Sequence, residues 1–209
     1  MNTPALRLHH NPFSASARRV VMLVHHLKLD VELVLIKNLR DPEERKGLVA
    51  LNPNAKIPVL EHGDFVLWES NAIMQYLADQ APGQSVYPSE LRARADVNRW
   101  LFWGAQHFAP AFGPVVWERW MKRMFGAGDP DPREIARGEQ QIAQFARVLD
   151  DHLLGREWVS GPGLTLADFS LSTALMRCKE AEISLEPYPN VRAWFERVQA
   201  LDAWRRTQP

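Results

Sequence analysis

The stretch Leu51–Leu77, LNPNAKIPVLEHGDFVLWESNAIMQYL, decides how the rest of the chain is read. Two short apolar runs, Ile57–Leu60 and Phe65–Trp68, flank His62-Gly63-Asp64. Two β-type runs joined through a Gly-Asp turn predict a hairpin. Pro58 has no amide hydrogen and cannot sit inside a paired strand, so it opens the first one, with a cis Ile57–Pro58 bond as an option. Glu69-Ser70-Asn71 follows, and then Ile73, Met74, Tyr76 and Leu77 recur at helical spacing, with Ser70 or Asn71 as the expected N-cap. A proline that frees the Ile57 backbone leaves a strand edge to which an extended peptide can pair. A helix start beside it offers unpaired N–H groups to a carboxylate, and Glu69 offers an acceptor to an amine. Together these suit a small zwitterionic peptide.

NPNAKIPVL followed by WESNAI resembles the glutathione-binding segment of the cytosolic glutathione transferases. The resemblance implies a thioredoxin-like α/β domain of order βαβαββα followed by an all-helical domain. It also implies glutathione as cosubstrate and an apolar electrophile as the second substrate. The order of elements agrees. Ala5–His9 alternates as a first strand, Ala17–Leu29 carries valines and leucines at helical spacing, and Val31–Ile36 is a second strand. Strand, helix and strand predict a parallel βαβ pair. Asp41-Pro42-Glu43-Glu44 is a helix start with a capping aspartate and proline in the first turn. That helix ends before Asn52-Pro53. Residues 1–80 form the expected first domain, 81–89 a linker rich in proline, and 90–209 the helical domain. In the latter, Pro110 and Pro114 are expected to kink or split the helical pattern. Asp131-Pro132 starts a helix, and Thr165-Leu166-Ala167-Asp168 is a capping box.

The chain has 209 residues, 46% of them hydrophobic and 24% charged, with a formal net charge of +0. This is the balance of an ordinary globular protein and carries no basic footprint for nucleic acid or an anionic membrane. No stretch approaches a membrane span, and residues 1–12 are polar, without the apolar run of a signal peptide. The single cysteine, Cys178, excludes a disulfide framework and a Cys-x-x-Cys motif. A cytoplasmic protein is expected. The pairs His9-His10 and His25-His26 lack partners at metal spacing, so no metal is expected.

The implied chemistry needs a thiolate. A free thiol has a pKa of about 8.5, so only about 3% is ionised at pH 7. Lowering that value by two units takes roughly 2.7 kcal/mol. One hydrogen bond to a charged acceptor supplies about 1.5–3 kcal/mol, and a helix N-terminus about 0.3–1. One well-placed hydroxyl is close to sufficient. In tyrosine-type relatives that donor lies in or after the first strand, but the tyrosines here are Tyr76, Tyr87 and Tyr188, and Cys178 is equally distant. Ser14-Ala15-Ser16-Ala17-Arg18 is similar to the serine-type pattern and favours Ser14, with Ser16 as runner-up and His10 or Asn11 behind it. Ser14 can also serve simply as a helix cap.

By the same resemblance Ile57, set by Pro58, pairs its backbone with the cysteinyl part of glutathione, while Glu69 and Ser70 hold the γ-glutamyl end. Lys56 meets the glycyl carboxylate. A basic pair found in the second helix of plant-type relatives aligns with Glu43 and Glu44, two acids that repel a carboxylate; Lys37, Arg40 or Arg45 can substitute. Candidates for the apolar wall are Phe13, Trp103, His107, Phe112, Trp117 and Met121. A homodimer is implied. The same glutathione site also serves peroxidase, isomerase, etherase or dehalogenase reactions, and the fold can serve as a non-catalytic binding module.

Overall fold

The computed structural model describes residues 5–39 and 41–208. The chain divides into two compact units. One comprises Met1–Tyr87 together with Leu201–Pro209, and the other Pro88–Ala200. The return of the last residues to the first unit is a feature that the sequence pattern does not signal.

The first unit is built on four strands: β1 Leu6–His10, β2 Val31–Leu35, β3 Val59–His62 and β4 Phe65–Trp68, in the order β2-β1-β3-β4. β1 and β2 run parallel around α1 (Ala15–Leu27), and β3 is antiparallel to both β1 and β4. The hairpin closes on Gly63, whose φ of +63° suits the first central position of a two-residue turn. α2 (Pro42–Leu51) starts as expected. The Asp41 carboxylate accepts from the amides of Glu43 and Glu44, and Pro42 occupies the first turn, where no amide is needed. α3 (Ser70–Gln80) packs along α1. α1 buries Val20, Leu23 and Val24 and packs against β1 and α3, whose Leu8, Ile73 and Leu77 are also buried. Ile57, Ala17, Leu48 and Val59 form a second buried cluster. The segment expected as a linker is tied down, with Gln84 bracketing the amide and carbonyl of Tyr87.

In the second unit α4 (Leu91–Trp103), α5 (Ala109–Val116) and α6 (Lys122–Phe125) are one continuous helical path. Of the two outcomes expected at Pro110 and Pro114, a kink or a split, the split is absent. Two π turns, Gly104–Phe108 and Trp117–Met121, lie on either side of the proline-bearing segment and shift the hydrogen-bond register there. α7 (Pro132–Leu153) crosses this path where Gly138 meets Val115. A Cβ at Gly138 would come within 2.6 Å of the valine. α8 (Leu166–Ser172) and α9 (Pro189–Gln199) complete the unit. The short α10 (Asp202–Arg205) belongs to the first unit, where it lies on α1. Among the described residues no helix is long and apolar enough to cross a membrane.

Candidate active site

Strand register alone gathers the candidate residues at one end of the sheet. His9 of β1 is paired with Val59 of β3, and Val59 with Trp68 of β4. The chain leaving β1 toward Ser14, the chain entering β3 through Ile57-Pro58, and the chain leaving β4 toward Glu69-Ser70 therefore share that end. The N-termini of α1 and α3 open there too. Arg19 of α1 donates to Asn71 of α3 at 3.4 Å and links the two helices.

Ser14 is the N-cap of α1, as one reading of the sequence held. Its Oγ accepts from the Ala17 amide at 3.2 Å. Capping consumes an acceptor site only, and a hydroxyl keeps its own O–H to donate. The N–H received from Ala17 polarises that O–H and makes it the better donor. The loop before it is held by Asn11. Its Oδ1 accepts from the Phe13 amide at 2.9 Å, and its Nδ2 donates to the Ile36 carbonyl at 2.8 Å. Ser16, the runner-up, is the second residue of α1. Arg18, four after Ser14, is buried against the C-terminal tail. It donates to Thr207 Oγ1 and the Trp204 carbonyl and lies 3.8 Å over the Trp204 ring.

The Ile57–Pro58 bond is cis. The Ile57 side chain is buried, and β3 begins only at Val59. Among the described residues no hydrogen bond uses the Ile57 amide or carbonyl, so the edge is unclaimed. Asn52 sets its position, a role that the sequence reading missed. This buried side chain donates to the Lys56 carbonyl at 2.7 Å and accepts from the Asn54 amide at 3.0 Å. A buried asparagine just past a helix end is the signal that could have found it. Lys56 itself is exposed.

The start of α3 differs from expectation. Glu69, not Ser70 or Asn71, is the N-cap, and its side chain makes no capping bond. Its backbone takes φ +73°, ψ 110°, which turns the chain into the helix one residue early. Such a conformation is costly for a residue with a Cβ and collects at functional sites. The buried Ser70 becomes the first helical residue, and no hydrogen bond engages its hydroxyl among the described residues. Arg19 is fully buried, which pulls its pKa down to about 10 against the opposing pull of Glu69. A buried guanidinium beside an exposed carboxylate orders this corner.

At the far side, Glu44 does not point an idle charge at the site. Its carboxylate accepts from the Asn38 amide at 2.7 Å and closes the turn before α2. Lys37 and Arg45 are exposed, and Arg40 lies outside the described residues. Phe13 is 59% exposed. In the helical unit, Trp103 stacks on Phe108, and the exposed His107 stacks on Phe145. Trp117 is 38% exposed and Met121 half-buried. Phe112, expected in the apolar wall, is only 2% exposed and meets Phe108 edge-on in the core of that unit. Among the described residues no group of three metal-ligating side chains comes together.

Both units of the chain have matches among known proteins. The glutathione S-transferase N-terminal domain profile matches residues 4–79 and the C-terminal domain profile residues 132–197. Glutathione S-transferase 3 of Zea mays is 30% identical over 207 residues, 97% of this chain and 92% of the maize protein. Glutathione S-transferase theta-2B of Homo sapiens is 31% identical over 192 residues, 90% of this chain and 78% of the human protein. A theta class glutathione S-transferase from Xanthomonas axonopodis pv. citri, solved with glutathione bound, superposes with a TM-score of 0.83 at 28% identity, covering 98% of this chain and 97% of that one. With its two matching domains and its full-length relatives, the chain belongs to the glutathione S-transferase family.

Proposed function

We propose that this glutathione transferase lays glutathione along the free backbone edge of Ile57 and ionises its thiol with the Ser14 hydroxyl. The γ-glutamyl end goes to Glu69 and Ser70, its carboxylate taking the open amides at the start of α3 and its amine the Glu69 carboxylate. The observation that carries the reading is the coincidence, at one end of one sheet, of an unclaimed strand edge, an uncapped helix start and a hydroxyl with a spare proton. Lys56 suits the glycyl carboxylate, with Lys37, Arg40 and Arg45 as further cations on that side.

In the reaction, the thiol proton leaves to water and the Ser14 O–H donates to the sulfur anion. The thiolate attacks an electrophilic carbon of an apolar substrate. An S–C bond forms, and the leaving group departs with its bonding electrons. A charge-assisted hydrogen bond of about 1.5–3 kcal/mol plus the α1 terminus accounts for most of a two-unit fall in the thiol pKa. Within the helical unit Trp103, His107, Trp117 and Met121 remain the candidates for meeting the apolar substrate, whereas Phe112 is buried in that unit's core. A cytoplasmic homodimer is part of the same reading.

Conjugation of glutathione to an aryl halide tests it. Ser14→Ala is expected to lower kcat roughly 100-fold at neutral pH. The pKa of bound glutathione should rise by about two units, read by thiolate absorbance. Turnover unchanged in Ser14→Ala removes the proton-donor role.

A further inference from the structure

A cavity lies in the first unit, and neither Ile57 nor Glu69 lines it. It is bounded by α1, the end of β1, the edge strand β2 and the C-terminal tail. Its volume is about 140 Å³. A water occupies about 30 Å³, so the space suits a few waters or one small ion. The lining is basic. Arg18 and His25 come from α1, His10 from β1, and Arg206 from the tail, with Thr207 and Gln208 adding polar groups over a floor of Val21 and Leu33. Among the described residues no carboxylate lines it. Asp202 lies 3.8 Å from Arg206, and both side chains of that pair are mostly exposed, so their attraction is weak.

The Arg18 guanidinium is already oriented. Two of its nitrogens are fixed by Thr207 Oγ1 and the Trp204 carbonyl, and its plane rests on the Trp204 ring. A buried, rigid fork in a low-dielectric pocket favours planar or tetrahedral oxyanions. We propose that this cavity binds a small inorganic oxyanion, phosphate or sulfate, gripped by Arg18, Arg206, His10 and His25. The occupant ties the tail to α1 and to the loop through Pro12 that leads to Ser14. It is a site separate from the thiol chemistry.

Protonation and binding are linked here. Burial holds the pKa of both His10 and His25 below the usual imidazole value, and the Arg206 charge depresses His25 further while Asp202 pulls it back. Among the described residues the charged and titratable groups facing these imidazoles are Arg18 on α1 and Asp202 and Arg206 on the tail; β2 contributes only Leu33. An arriving anion favours imidazolium, so it raises both values, and affinity must increase as pH falls.

The test is an NMR titration of the imidazole signals of the full chain with inorganic phosphate, at constant ionic strength. Saturable shifts are expected at His10 and His25 but not at His62, His107 or His152, with tighter binding at pH 6 than at pH 8. Arg206→Ala, at an exposed side chain that the fold does not need, should weaken binding about tenfold or more. Sulfate should compete, whereas a nucleoside monophosphate, too large for the cavity, should not. Shifts that are uniform across all histidines, an unaffected Arg206→Ala variant, or a nucleotide that competes as well as phosphate would overturn the proposal. The result is expected to be the same in Ser14→Ala, so the failure of one proposal leaves the other standing.

Discussion

Two sets of helix starts in this protein can be set side by side. Those of α2, α4, α7 and α8 each carry their own acid. Asp41, Glu90 and Asp131 accept from amides of the first turn. Asp168 closes a capping box with Thr165 and also accepts from the Val159 amide at 2.9 Å and the Trp194 indole at 2.8 Å. The start of α3 has no such partner. Its cap residue, Glu69, makes no side-chain bond to the helix amides. The difference separates architecture from recognition. A helix that supplies its own anion is finished, whereas one that does not can receive the carboxylate of a substrate.

Breaking the comparison at its strongest point should cost most. Asp168 is fully buried, and desolvation lifts its pKa to about 6 in spite of four hydrogen bonds that favour the anion. Asp168→Ala orphans buried donors at Val159, Thr165 and Trp194 together. Unfolding in urea should show a loss of about 3–5 kcal/mol, with the helical unit affected first. A loss below about 1 kcal/mol would mean that the box is decorative. Ser70→Ala tests the other kind of helix start and should leave stability almost unchanged. KM for glutathione should rise about tenfold with kcat largely retained. A variant that loses stability but binds glutathione normally would make α3 an ordinary helix start.

Much of this contrast was legible in the sequence. Asp41-Pro42, Asp131-Pro132 and Thr165–Asp168 announce their helices because a cap is a local bargain among residues within one turn. The same holds for the Pro58 and Gly63 positions of the hairpin. Glu69 as the cap was not legible, since a positive φ at glutamate has no local signature; Ser70 looked the better cap by composition. The unbroken path through Pro110 and Pro114 was hidden because π turns depend on packing rather than on residue type. The grip of Arg18 on Trp204 and Thr207 spans most of the chain, and no periodicity reports a contact at that separation. Phe112 looked like pocket lining because an aromatic on a helix does not declare which side it faces.

The twisted backbone of Glu69 also has an evolutionary corollary. Glycine would accept φ +73° without penalty. Glu69→Gly should therefore gain about 0.5–1 kcal/mol of thermal robustness while giving up the carboxylate that meets the peptide's amine, as melting curves and glutathione affinity would show. A lineage selected only for durability would drift to glycine at position 69, and one selected for the peptide would not.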